Sequence, residues 1–232
     1  MKNFLLTTGL LWLMLPNSFG AAQKQDASGL DNVLRKMDET AAHFQTAQAD
    51  FVFDQYQKVV DETDTQKGTV YYRKAGQQIE MMAEFTDPDK KFVLYKDGKL
   101  QVYQPKIEQV MEYSVGANQQ ELESLMVLGF GGSGQDLKKS YDVTYQGEES
   151  IDGTPTAKLQ LIPKNEKLRS NIPQIILWID LASGISVQQK LMQTQGDYRL
   201  AKYSAIKVNA KINNDVFRLK TTGKTKFISP RG

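Results

Sequence analysis

His43 is the only histidine in this 232-residue chain, and there is no cysteine. Those two counts remove most site chemistry. A nucleophilic triad needs a base beside its serine or thiol, and a zinc site needs three or four His, Cys or carboxylate ligands. His43 stands beside Phe44 in a stretch of helical spacing and reads as a structural or exposed residue. Asp61, Glu62 and Asp64 bunch closely enough to suggest a hard cation. Their spacing is not that of a calcium loop, so they read as a solvated hairpin tip. Gly129-Phe130-Gly131-Gly132-Ser133-Gly134 shares its glycine content with a phosphate loop. It lacks the Gly-Lys-Ser/Thr ending and follows no parallel strand. It reads as a mobile loop, able to act as a hinge. Asp87-Pro88-Asp89-Lys90-Lys91 is a solvated turn whose lysines could meet an acidic membrane partner. No enzyme activity, metal or cofactor is expected.

The chain instead offers apolar alternation. Residues 91–113 read as three short strands, with Lys96-Asp97-Gly98-Lys99 as a two-residue hairpin turn and Pro105 as the second break. Strands are also expected at 49–60, 68–73, 78–85, 141–147, 156–163, 173–180, 184–193, 198–208 and about 216–219. Asp61–Lys67 reads as a polar turn. Leu30, Val33, Leu34, Met37, Ala41 and Phe44 recur at helical spacing and predict a helix over 30–48, with Ser28 as its cap and 21–29 as a polar leader. Leu122, Leu125 and Met126 predict a second helix over 118–128, and 135–140 a further turn. A helix before the strands and one among them point to an α+β fold: one strongly curved antiparallel sheet with helices closing its concave apolar face.

The first twenty residues address the chain. Met1-Lys2 is followed by an apolar run over 4–15, then Pro16 and the small residues around Ser18-Phe19-Gly20-Ala21-Ala22. This is the pattern of a cleavable secretory signal, 1–20, and the run is short of the roughly twenty residues that span a bilayer. With no cysteine there is no acylated lipoprotein anchor and no disulfide. The remainder, 21–232, is long enough for one well-cored domain. Without Lys2 the 29 Lys and Arg become 28, against 27 Asp and Glu. That balance argues against nucleic acid and against a strongly anionic surface. A periplasmic monomer is expected.

The leading helix into Ala49-Asp50-Phe51, the run Lys67-Gly68-Thr69-Val70-Tyr71-Tyr72-Arg73-Lys74, Asp97-Gly98, and Tyr103-Gln104-Pro105-Lys106-Ile107-Glu108-Gln109-Val110 stand in a familiar order. Trp178-Ile179-Asp180 and Ser183-Gly184 continue it. The chain resembles the LolA-type outer-membrane lipoprotein carrier family. The resemblance implies an incomplete barrel with a helical lid over an apolar cavity. It also implies acylated lipoproteins or lipid as cargo, an inner-membrane ABC-type extractor and an outer-membrane acceptor as partners. One departure stands out. The proteobacterial carriers latch the lid with an arginine in the first strand, where this chain has Phe53-Asp54-Gln55-Tyr56-Gln57. Two alternatives remain: a carrier of another outer-membrane lipid, and a periplasmic envelope-stress sensor resembling the RseB type. That class carries a second C-terminal domain, for which little sequence follows the last predicted strand.

An exposed acyl chain costs about 0.8 kcal/mol per CH₂, so a carrier must offer a wide apolar surface. The residues expected to form it are Phe51, Phe53, Val70, Tyr72, Ile79, Met81, Phe92, Leu94, Ile175, Leu177 and Ile179 on strands. Leu122, Leu125 and Met126 would join them from the lid helix.

Overall fold

The computed structural model describes residues 19–229, apart from 77, 117, 118, 127 and 129. The expected signal segment therefore lies outside the described residues up to position 18, as do Asn118 and Gly129 of the two motifs above. A long helix α1 (Phe19–His43) leads into β1 (Thr46–Gln57), β2 (Glu62–Ala75), β3 (Gln78–Asp87), β4 (Lys91–Lys96), β5 (Lys99–Gln104) and β6 (Gln109–Ser114). Two helices, α2 (Gln119–Met126) and α3 (Gly134–Ser140), precede β7 (Tyr141–Ile151) and β8 (Thr154–Pro163). Then come α4 (Glu166–Asn171), β9 (Gln174–Asp180), β10 (Ser186–Met192), β11 (Tyr198–Val208) and β12 (Lys226–Ile228). All strands join one curved, unclosed sheet in the order β12-β6-β5-β4-β3-β2-β1-β11-β10-β9-β8-β7. Every pairing is antiparallel except β12 beside β6. This is the curved antiparallel α+β sheet that the alternating sequence pattern predicts and the incomplete barrel that the resemblance implies.

Local chemistry explains most element ends. Asp97 and Gly98 both take positive φ, 51° and 69°, which the tight β4–β5 turn requires. Asn209, just past β11, ties off α1: its side-chain N–H donates to the His43 carbonyl at 2.9 Å and its oxygen accepts from the Gln45 N–H at 2.8 Å. The helix ends there, five residues before the expected 48, and β1 starts at Thr46. At its other end α1 runs back through the expected polar leader, where Ala21, Ala22 and Gln23 favour helix. Ser28 is thus inside the helix rather than capping it. Gly29 is needed there, because a Cβ would meet the Tyr145 ring at 2.7 Å.

The expected turn 61–67 is largely strand. Residues 62–67 pair with β1 one by one as far as Gln57 opposite Glu62, and the true tip is 58–61. Thr65 donates to Asp54 at 2.7 Å and Thr69 to Asp50 at 2.9 Å, so polar side chains support the ladder instead of ending it. The expected strand at 216–219 is instead a 3₁₀ turn, Asn214–Phe217. That turn belongs to a C-terminal segment crossing the outer face of the sheet. Phe217 is buried there with Met82 and Leu94, and the Arg73 guanidinium lies 4.3 Å from its ring centroid. Arg73 also donates to Glu80 and to Asn214, while Lys96 Nζ approaches Glu80 at 3.3 Å.

The inner face divides into two. Over β7–β9, the α1 stripe of Val33, Leu34 and Met37 packs with Leu159, Leu161, Ile175, Leu177 and Ile179 into a solid core. Each fully buried leucine there contributes about 1.5–3 kcal/mol. Over β1–β4 and β11 the inner side chains include Phe51, Val70, Tyr72 and Ala83, joined by Phe44 and Phe130. No helix fills this second half.

Candidate functional site

Strand alternation aims one row of side chains from each of six strands into the unfilled half. β1 supplies Phe51 and Phe53, β2 Val70 and Tyr72, β3 Met81, Ala83 and Phe85, and β4 Val93. β10 adds Gln189 and Leu191, and β11 adds Arg199, Ala201 and Tyr203, with Leu125 and Met126 of α2 on the remaining side. Together they line a cavity of about 270 Å³. That is near the lower end of the roughly 300–1,000 Å³ typical of small-molecule sites. Its wall is aromatic, branched and thioether surface, which adapts to a flexible apolar ligand. Phe51 and Phe85 meet edge to face at 5.0 Å between ring centroids. They do so over Gly68, where a Cβ would lie 2.0 Å from the Glu84 carbonyl oxygen.

Behind the wall lies Phe130, fully buried. It stacks on Tyr72 at 5.0 Å and meets Tyr203 edge-on at 4.7 Å. Burial pushes both tyrosine hydroxyls well up from the ordinary phenol range, so they stay neutral. Phe130 belongs to the glycine-rich loop read from sequence as mobile and able to hinge. Its described residues are anchored by that ring, and Gly131 (φ +82°) and Gly134 permit close packing on Phe44 and Leu34. Ser133 then caps α3 by accepting from the Asp136 N–H at 3.0 Å.

Helix α2 is tied down at two points. Tyr95 OH, from the inner face of β4, donates to Glu123 at 2.6 Å. The buried Gln189 amide donates to the Leu128 carbonyl just beyond α2. No arginine stands in 53–57; among the described residues α2 is held by these two neutral-donor hydrogen bonds together with Leu125 packed against the core.

Of the residues read from sequence, Phe51, Phe53, Val70, Tyr72, Met81, Leu125 and Met126 line the cavity together. Ile79 faces a separate, more polar cleft of about 310 Å³ beside Asp136 and Lys139. Leu122 is half-buried and lines neither. Ile175, Leu177 and Ile179 face inward but are fully buried beneath α1. Phe92 and Leu94 need correction, because they lie on the outer face with Met82 and Phe217. The register Ala83 opposite Val93 fixes β4 one residue out of that phase. In sequence Lys91–Lys96 is apolar on both faces, since the C-terminal segment covers the outer one, so alternation could not choose the phase. Ala83, Phe85, Val93, Gln189, Leu191, Arg199, Ala201 and Tyr203 were also missed. Their strands were legible; the polar and small ones gave no apolar signal, whereas Phe85 continues the Ile79–Met81 alternation and could have been read from it.

His43 is exposed, and Asp61 accepts from Tyr56 OH at 2.9 Å at the hairpin tip. Among the described residues no three His, Asp or Glu side chains converge on a metal position. No helix among them is long and apolar enough to cross a membrane.

A half-open sheet with an apolar hollow on its inner face is the architecture of a lipid-handling carrier. Residues 42–220 match the family described as "Outer membrane lipoprotein carrier protein LolA", and the chain belongs to that family. No curated protein matches it by sequence. Among solved structures, MucB is 15% identical with a TM-score of 0.52, covering 83% of this chain and 63% of that one. This chain therefore spans less than two thirds of MucB. An uncharacterized conserved protein from Thermus thermophilus is 13% identical with a TM-score of 0.52, covering 90% of this chain and 99% of the other. A putative outer membrane lipoprotein-sorting protein domain from Vibrio parahaemolyticus is 12% identical with a TM-score of 0.44, covering 83% and 97%.

Proposed function

We propose that the protein is a periplasmic carrier. After loss of 1–20, residues 21–232 would act as one unit that binds the acyl chains of lipoproteins and carries them from inner to outer membrane. The observation that carries this reading is the unfilled apolar cavity, walled by the sheet and by Leu125 and Met126 of α2. Membership of the lipoprotein carrier family supports it. An ABC-type extractor would load the cavity and an outer-membrane acceptor would empty it. Cargo moves along such a relay only if each partner binds it better than the last. The protein itself does no covalent chemistry in this scheme.

The test is release. Purified protein is added to spheroplasts, and the soluble fraction is probed for acylated lipoproteins bound to it. Stoichiometric release supports lipoprotein carriage, whereas free lipids co-purifying without lipoproteins would overturn it in favour of another lipid cargo. Leu125→Asp puts a charge on the apolar wall, where burying it is costly. It should weaken binding of a fluorescent fatty-acid probe at least about tenfold with the melting temperature unchanged. Unchanged binding would remove α2 from the site.

The second reading is an RseB-like sensor, favoured by the fold shared with MucB, a protein that is also seen in complex with MucA. A sensor would leave lipoproteins in the spheroplast membrane and retain a membrane-bound signalling partner.

A further inference from the structure

Arg199 is the only charged residue among the described residues that line the apolar cavity. It sits where β11 begins, at the end of the sheet that carries the β1–β2 tip. Its register partners are Gln55 on β1 and Leu191 on β10, so neither neighbouring strand places a carboxylate across from it. Asp197, two residues before it and just ahead of β11, accepts the Lys58 backbone N–H at 2.9 Å. Asp64 is opposite Gln55, two strands away, or roughly 10 Å at the usual strand spacing. Arg199 makes no hydrogen bond and no ion pair among the described residues. The other polar groups of the wall are already placed. The Gln189 amide donates to Leu128, and the Tyr72 and Tyr203 hydroxyls are neutral, on a buried and a half-buried ring respectively.

A guanidinium presents five donors in a planar fork that fits a carboxylate or phosphate bidentately. While exposed, Arg199 is satisfied by water. A chain seated against Phe53, Leu191 and Ala201 would strip part of that water away. A ligand with a neutral ester or amide head would then leave the cation partly desolvated and unpaired, which is a penalty. A ligand ending in an anion would replace the lost water with a charge-assisted pair. The site would thus select by head group as well as by chain.

We infer that, beside lipoprotein acyl chains, the cavity takes single-chain amphiphiles with an anionic head group, carboxylate or phosphate, which Arg199 binds at the rim more tightly than a neutral head while the chain lies on the apolar wall. The inference rests on reading the cavity as an acyl-chain site.

The experiment is a fluorescence titration of the purified protein with 11-(dansylamino)undecanoic acid and with its methyl ester. The acid should bind at least about tenfold tighter than the ester. Arg199→Gln should erase that preference by weakening the acid and strengthening the ester, and Arg199→Lys should keep part of it. Displacement of the probe by lauric acid and by lysophosphatidic acid then separates a free fatty acid from a phospholipid source. Equal binding of acid and ester by the unmodified protein would overturn the inference. So would an Arg199→Gln variant that weakens both alike, since Arg199 would then serve only through its aliphatic stem. In either case the acyl-cavity reading survives. If neither probe binds, both readings fall together.

Discussion

The two halves of the inner face are built from the same kind of strand and end differently. On β9, Ile175, Leu177 and Ile179 alternate inward and are fully buried. On β3, Ile79 and Met81 alternate inward in the same way and remain half-buried. The strands do not make the difference. The α1 stripe lies over β7–β9 and fills that half, whereas among the described residues only the end of α2 and the Phe44 and Phe130 rings reach over the other. A cavity in this fold is a place where the sheet curves and no helix follows. The polar neighbours differ too. The filled half is apolar throughout, while the open half admits Gln189 and Arg199.

The largest expected effect is at the boundary. Phe130→Ala removes a fully buried ring that backs both Tyr72 and Tyr203, and should cost about 3–5 kcal/mol. It should also release the 131–134 loop to limited proteolysis. A loop still protected in the variant would mean that Phe130 is not its anchor. The contrast itself is tested by Leu177→Ala against Met81→Ala in urea unfolding. Leu177→Ala opens a new void in the closed core and should cost about 2–5 kcal/mol, while Met81→Ala widens an existing one and should cost about 1 kcal/mol. Equal losses would mean that the open half is as tightly packed as the filled half.

A smaller effect sharpens the role of the contacts holding α2. Gln189→Leu leaves the Leu128 carbonyl without its donor, at about 1–3 kcal/mol. Amide exchange should rise across 119–128 and stay constant in β7–β9. Uniform exchange would show that the contact supports the whole sheet instead of the lid side alone.

The smallest effect concerns the outer face of the filled half. There the Trp178 indole N–H donates to Glu149, with Lys158 Nζ at 3.3 Å. That indole hydrogen bond, aided by Lys158, holds the Glu149 carboxyl below the usual carboxylate range. A lowered folded-state value means stability that is present above the unfolded value and lost as pH falls through the folded one. Glu149 is 41% exposed, so solvent screening limits the gain to no more than about 0.5 kcal/mol. Trp178 is the only tryptophan after position 12, so its emission reports the step directly. Titration should give a midpoint below the ordinary carboxylate range, absent in Glu149→Gln. A midpoint at the ordinary value would sink the assignment.

By itself the sequence determined most of the strands, the leading helix and the open antiparallel architecture. Alternation, Asp97-Gly98 and the Leu30-to-Phe44 stripe are local signals that need no partner. It also reached seven of the cavity residues, because large apolar side chains on alternating positions announce themselves. Tertiary structure alone decided the rest. The phase of β4 depends on whether something covers its outer face, and that cover is Phe217, more than 120 residues later in the chain. Whether Leu177 is core or cavity depends on where α1 comes to rest. Arg199 became a rim residue only through its register with Gln55 and Leu191. Each of these is set by contacts distant in sequence. Periodicity says that a side chain will turn to one face or the other, but only packing says what waits there.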